Sequence, residues 1–123
     1  MISMDQYKDG ETLLMECRKL SDDQLIEELT SLASLEREKT VEALARLVTA
    51  RDRGLVKERG HPSLYMFCLR ELRYCEGTAW SRAKAAHACG RFHKLLDVIR
   101  SGELKVSAVA LISDHLTFEN HRH

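Results

Sequence analysis

The sequence predicts an all-α protein of five to six helices, with one long central helix and a helix-turn-helix-like pair. Strong helix formers dominate its 123 residues, which include one proline and six glycines, and runs of β-branched residues are missing. Apolar residues recur at three- and four-residue spacing between Leu25 and Val48, as on one face of an α-helix. The length is that of one domain, so we interpret residues 1–123 as a single helical domain.

The first two predicted elements are an arm and the long helix. Residues 1–20 are expected to form a weakly ordered N-terminal helix or arm, because Gly10 interrupts their apolar pattern. Ser21 followed by Gln24 is a capping-box signature and marks the start of the next helix. No helix breaker follows until Gly54, which predicts a helix of about 30 residues.

A helix of this length in a small domain either spans the domain or pairs with a second chain. The long helix therefore leaves a homodimer, or another protein-interaction module, open as an alternative function. The residues that such an interface would bury are Leu25, Leu29, Leu32 or Leu44.

Four shorter helices are predicted after a loop over residues 54–62. Ser63 is the expected N-cap of the first of them, which runs to Leu72. Residues 73–77 make a tight corner, and the next helix extends from residue 78 to 89 before Gly90 ends it. The last two helices cover 95–99 and 106–112. Residues 116–123 are interpreted as a tail that leads towards a C-terminal domain absent from these 123 residues.

The two helices on either side of the corner have the features of a DNA-reading helix-turn-helix. The first helix offers an apolar brace, formed by Cys68, Leu69 and Leu72. Small side chains let the second helix approach closely, at Ala79, Ala83 and Ala86. Helical geometry then directs the remaining side of the second helix outwards, with Thr78, Ser81, Arg82, Lys84 and Ala85.

Positive charge is concentrated around this pair. Between residues 70 and 94, six basic residues stand against two acidic ones, although the net charge of the chain is zero. Double-stranded DNA is therefore the expected partner, and two packed helices with solvated cations are the alternative interpretation. The predicted phosphate contacts are Arg73, Arg82, Lys84, Arg91 and Lys94. The predicted base contacts are Thr78, Ser81 and Arg82.

Trp80 is the only tryptophan and allows two interpretations. An exposed indole could stack on bases or wedge into a groove. A buried indole would cover the long helix as part of the core. The core position is the expected one, because large aromatic side chains are mostly buried.

Several short blocks in fixed order resemble the helical region that precedes the nuclease domain of bacterial HNH endonuclease-like proteins. These blocks are 53–55, Gly60 with 63–64, 65–72, the alanine-rich 76–86, 91–92, 102–104 and 115–120. The resemblance covers about residues 20–121. It implies that this region positions DNA, and that the metal-binding and cutting residues belong to a nuclease domain outside the chain. Arg73 and Phe118 stand where glycine and proline are common in the family.

No catalytic residue, cofactor or metal site is predicted, and whether a longer parent protein is an enzyme is left open. The four cysteines, Cys17, Cys68, Cys75 and Cys89, lack the paired spacing of a zinc knuckle. Cys89 and His93 are one helical turn apart, but no orienting acid accompanies them. The histidines at 115, 121 and 123 are interpreted as part of a solvated tail.

The polar, acidic N-terminus shows no signal peptide, and no apolar run reaches membrane-spanning length. A cytoplasmic protein without a membrane partner is therefore expected. The leading hypothesis is a DNA-binding or DNA-positioning module. The alternatives are a dimerisation or protein-interaction module, and a helix-turn-helix transcriptional regulator without nuclease function.

Overall fold

A computed structural model describes residues 8–115, and every regular element within that range is a helix. The all-α class is confirmed, but the described residues hold seven α-helices rather than five or six. A four-residue helix lies within the predicted loop over 54–62. The helices are α1 (Gly10–Arg18), α2 (Asp22–Asp52), α3 (Leu55–Glu58), α4 (Leu64–Arg70), α5 (Glu76–Arg91), α6 (Lys94–Ser101) and α7 (Val106–Ile112), followed by a 3-10 turn at Ser113–His115. None of the helices described is long and apolar enough to cross a membrane.

Contacts along the chain divide it into two compact units, and the division falls between Leu35 and Glu36 within α2. We call the described residues before this point the N-terminal unit and those after it the C-terminal unit. The interpretation of the whole chain as one domain stays a prediction.

The N-terminal unit consists of α1 and the first part of α2. Asp9 caps α1 by accepting a hydrogen bond from the amide of Thr12 at 2.8 Å, so Gly10 is the first residue of the helix and does not interrupt it. The predicted capping box is confirmed: the amide of Gln24 donates to Ser21 Oγ at 3.1 Å, and the amide of Ser21 donates to Gln24 Oε1 at 2.9 Å. No side chain among residues 8–35 is fully buried.

The core of the C-terminal unit forms around α5, which contacts α4, α6, α7 and the 3-10 turn. The second half of α2 contributes three buried residues, Val41, Leu44 and Leu47. The expectation of a long central helix therefore holds only in part, because α5 occupies the centre of this unit. α5 can occupy the centre because its alanines have small side chains, which allow the neighbouring helices to approach closely. The larger side chains of the core include Val56, Leu64, Cys68, Phe92, Leu95, Ile99 and Val109.

The carboxylate of Glu71 fixes the segment between α3 and α4 through hydrogen bonds. Glu71 accepts hydrogen bonds from Arg59 Nε at 2.7 Å and from His61 Nε2 at 3.0 Å. These bonds, with the one to His61 first, lower the pKa of Glu71 below its ordinary value. His61 is itself buried and meets the ring of Phe67 edge-on. This cluster fixes the end of α4, from which the corner to α5 begins.

The corner between α4 and α5 turns through Arg73, whose φ of 60° lies in the left-handed region that favours glycine. The amide of Tyr74 then donates to the carbonyl of Cys68 at 3.1 Å. Cys68 is fully buried as the sequence predicts, but Leu72, expected to brace α5, is 40% exposed. Leu64, and not Leu72, is buried together with Cys68.

Candidate nucleic-acid interface

Neighbouring helices cover the alanine-rich part of the surface of α5. Its buried residues are Ala79, Ala83, Ala85, Ala86, Ala88 and Cys89. Ala79, Ala83 and Ala86 were expected to be buried, but Ala85 was expected to point outwards and is 0% exposed. That expectation was wrong because it assumed one packing neighbour, whereas α4 and α7 both pack against α5.

After the exposed Glu76 in the first turn, one accessible side of α5 carries four large side chains, at Trp80, Lys84, His87 and Arg91. We call these residues the α5 outer face. Their spacing of four, three and four residues places them in one row along the helix. Trp80 is 41% exposed, so the expectation that it belongs to the core was wrong. The row joins two cations, an imidazole and an indole on a single surface.

Lys84 is positioned within the α5 outer face by an ion pair. Its Nζ lies 3.0 and 2.9 Å from the two carboxylate oxygens of Asp114 in the 3-10 turn. The hydrogen bond and the charge of Lys84 lower the pKa of Asp114 below its ordinary value. Asp114 is largely exposed, and such surface pairs stabilise a fold only weakly. The ammonium group can therefore exchange this partner for another anion at little cost.

Arg51, at the end of α2, adds a second cation beside His87. Its Nε and Nη2 donate to Asp52 Oδ1 at 3.0 and 2.9 Å, and its Nη1 donates to His87 Nδ1 at 2.9 Å. The guanidinium lies against Gly90, where a Cβ atom would come within 2.6 Å of Nη2. The side chain is thus fixed by two partners and by the absence of a side chain at Gly90.

The protonation of His87 follows from this contact. A guanidinium can only donate, so His87 Nδ1 must accept and the ring hydrogen lies on Nε2. Burial, followed by the charges of Arg51 and Lys84, holds the pKa of His87 below its ordinary value. The imidazole is therefore neutral at pH 7 and offers an Nε2–H donor next to two cations.

The residues predicted to contact bases lie together on another side of α5. Thr78, Ser81 and Arg82 line an open cavity of about 430 Å³, which the start of α7 completes with Ser107. The guanidinium carbon of Arg82 lies 5.6 Å from the centre of the Tyr74 ring. Because Arg82 and Lys84 are two residues apart on a helix, their side chains point in nearly opposite directions.

The remaining predicted phosphate contacts are spread along the chain. Arg73 is exposed at the corner before α5, and Lys94 is the exposed first residue of α6. Arg91 ends α5, with its guanidinium carbon 5.1 Å from the centre of the Phe92 ring. Of the seven residues predicted to bind DNA, only Lys84 and Arg91 lie on the α5 outer face. Arg51 and His87 were missed, and Trp80 was expected in the core. The 80, 84, 87, 91 spacing could have placed His87 and Trp80 in the row with Lys84 and Arg91, but nothing local indicates Arg51.

The buried thiol of Cys89 and metal binding have little support in the described part of the chain. Burial raises the pKa of Cys89 to about 12, so its thiol stays protonated at pH 7 and is not a nucleophile. Residues 8–115 contain no group of three His, Cys, Asp or Glu side chains placed to hold a metal ion. The histidines at 121 and 123 lie outside the described residues.

Neither a known protein family, a curated protein nor a solved structure matches this chain. The resemblance to HNH endonuclease-like proteins therefore stays a prediction.

Proposed function

We propose that this chain binds double-stranded DNA through the α5 outer face and positions it, as expected for a module that accompanies a nuclease. The observation that carries the proposal is the row of Trp80, Lys84, His87 and Arg91 along an accessible side of a helix that α4 and α7 flank. Cationic side chains in a row can follow the phosphates of a duplex. An indole next to them can pack against sugar or base edges.

Burial of α5 favours contact with the phosphate backbone over reading of bases. A recognition helix that enters the major groove exposes a broad surface at its N-terminal end. Here α4 and α7 cover both flanks, and Thr78 and Ser81 near the start of α5 are half-buried. Phosphate contacts position a protein without reading sequence. The proposed activity is accordingly DNA positioning with little sequence preference.

The double substitution Lys84→Gln with Arg91→Gln tests this proposal. We expect it to weaken binding of a short duplex on the order of tenfold at moderate salt, and to reduce the slope of log K against log salt by about 2. Each lost cation removes one phosphate contact and the counterion release that accompanies it. Fluorescence anisotropy of a labelled duplex over a series of salt concentrations measures both quantities.

A matched control removes two exposed cations that are not on α5. Lys39→Gln with Arg53→Gln changes the net charge by the same amount. An equal loss of affinity in this control would show that only net charge matters and would contradict the proposal. Arg82→Gln distinguishes the two sides of α5, since a larger loss there would move the interface to the cavity near Ser107.

A second function, self-association through α2, is favoured by the N-terminal unit. Seven of its large apolar side chains are between 50 and 65% exposed: Leu13, Leu14, Met15, Ile26, Leu29, Leu32 and Leu35. Contiguous apolar surface on a folded chain marks an interaction site. Of the residues predicted for a dimer, Leu29 and Leu32 are exposed on α2 and Leu25 is half-buried. Leu44 is not, because it is already 0% exposed within the C-terminal unit.

Leu29→Glu tests self-association, because it places a charge among the exposed apolar side chains of α2. We expect the wild-type chain to sediment as a concentration-dependent dimer and the variant to sediment as a monomer. Leu111→Glu, on an exposed position of α7, is the matched control and should leave the dimer intact. A wild-type chain that remains monomeric at every concentration would exclude this function.

A further inference from the structure

A second cavity lies beside Arg51, on the opposite side of His87 from Lys84. It has a volume of about 460 Å³ and opens to solvent among the end of α2, α3 and the start of α4. This volume is in the range of small-molecule sites, which are about 300–1,000 Å³. Its polar side chains are Arg51, Asp52, Lys57, Ser63 and His87. We call it the Arg51 cavity.

Most polar groups of the Arg51 cavity are hydrogen-bond donors. The guanidinium of Arg51 has five N–H groups, and its bonds to Asp52 and His87 use three of them. Lys57 adds an ammonium, and His87 has its hydrogen on Nε2. The Oγ of Ser63 accepts from the amide of Met66 at 3.1 Å, which leaves its hydroxyl hydrogen available to donate. A ligand for this cavity must therefore supply several acceptor oxygens.

The arrangement of Arg51 is suited to an anion, because its direction is fixed before any ligand arrives. Asp52 Oδ1 accepts from both Nε and Nη2, and the missing side chain at Gly90 leaves the guanidinium room close to α5. The two N–H groups that remain, one on Nη1 and one on Nη2, can each donate to an oxygen of a phosphate or carboxylate. Phosphate presents three oxygens and up to two negative charges, and so matches more of the donors than a carboxylate does.

The other wall of the Arg51 cavity is apolar. Val56, Pro62 and Leu64 line it, and Val56 and Leu64 are buried. An inorganic ion would leave this apolar wall exposed to water, whereas the organic group of a phosphate ester would cover it. The cavity thus pairs a fixed anion binder with an apolar surface, which is typical of small-molecule sites.

We infer that the Arg51 cavity is a binding site for a phosphate monoester, with Arg51 and Lys57 on the phosphate and the Val56–Leu64 wall on the organic group. The ester can come from two sources, a free nucleotide or the terminal phosphate of a nucleic-acid strand. The site does not depend on the duplex proposal, because Arg51, Lys57 and Ser63 lie outside the α5 outer face. Failure of duplex binding would leave the inference standing, and the reverse also holds.

Calorimetric titration of the full chain with adenosine 5′-monophosphate, inorganic phosphate and adenosine tests the site. We expect the monophosphate to bind more tightly than inorganic phosphate, and adenosine to bind at least tenfold more weakly than the monophosphate. Equal binding of adenosine and its monophosphate would overturn the inference, since the anion would then contribute nothing. Absence of binding by the monophosphate would overturn it as well.

Three variants locate the phosphate. Arg51→Gln should weaken monophosphate binding at least tenfold, whereas Arg53→Gln, an exposed neighbour outside the cavity, should leave it unchanged. Gly90→Ala keeps every charge but displaces the Arg51 guanidinium, so it should also weaken binding. The added Cβ meets only the far end of a flexible side chain, and the helix should therefore tolerate it. Equal affinities for Arg51→Gln and Arg53→Gln would overturn the assignment.

Competition with oligonucleotides separates the two sources. A strand with a 5′-phosphate that displaces the monophosphate, while the same strand with a 5′-hydroxyl does not, supports a strand end as the ligand. If neither strand displaces the monophosphate, a free nucleotide is supported. Displacement by both strands alike would overturn the inference, because the terminal phosphate would then not be what the cavity recognises.

Discussion

Replacing Leu44 with alanine is expected to destabilise the protein by about 2–5 kcal/mol, the usual range for removing a fully buried leucine side chain. Leu44 is 0% exposed and is among the largest fully buried side chains described. The substitution removes apolar contacts and leaves a cavity, because helices held by several neighbours relax only partly. Urea denaturation followed by circular dichroism measures the free energy of unfolding.

Leu111→Ala is the matched control for this substitution. Leu111 is 71% exposed on α7, so the same chemical change should alter the free energy of unfolding by less than about 0.5 kcal/mol. The sequence placed Leu44 among the residues of a dimer interface. A small effect for Leu44→Ala, similar to that of Leu111→Ala, would contradict its place in the core.

Ala85→Lys should destabilise the protein by about 3–5 kcal/mol, as expected for an uncompensated charge placed in the interior. Ala85 is 0% exposed in the part of α5 that neighbouring helices cover. A lysine there must either bury its ammonium group or force the helices apart. Thermal and urea unfolding of the variant measure the effect, and loss of the folded state under native conditions would be its extreme form.

Gly77→Lys is the control for Ala85→Lys, since it adds the same side chain to the same helix. Gly77 is exposed in the first turn of α5, and a Cβ atom there would meet nothing within 4 Å. We expect a change of less than about 1 kcal/mol, because the unfavourable charge at the helix N-terminus is partly offset by removing a glycine. If Ala85→Lys were as mild as this control, Ala85 would face outwards, as the sequence alone suggested.

Local signals in the sequence predicted the structure correctly where it depends on a single helix. The capping box at Ser21 and Gln24 and the N-cap at Ser63 form as predicted, because they depend only on residues three apart in the chain. The alanines at 79, 83 and 86 were correctly expected to be buried. The four-residue helix at Leu55–Glu58 was missed, since it is too short to show a period.

The residues of the candidate site were predicted only in part, because the number of helices that pack against α5 determines which of its side chains are exposed. Periodicity identifies one buried face of α5, but the packing of α7 covers a second face and buries Ala85. The same packing leaves the side chain of Trp80 exposed to solvent. Arg51 is 36 residues from His87 along the chain, and their contact at 2.9 Å has no local signal. Long-range contacts of this kind follow from tertiary packing alone.

By itself, the sequence determined the helical class, the local caps and the concentration of cations around α5, since each depends on residue type and short-range spacing. Tertiary structure decided which side chains share the accessible surface: it added Arg51 beside His87, exposed Trp80 and buried Ala85. The physical reason is that a helix turns its side chains in every direction, and only its packed neighbours determine which of them reach solvent.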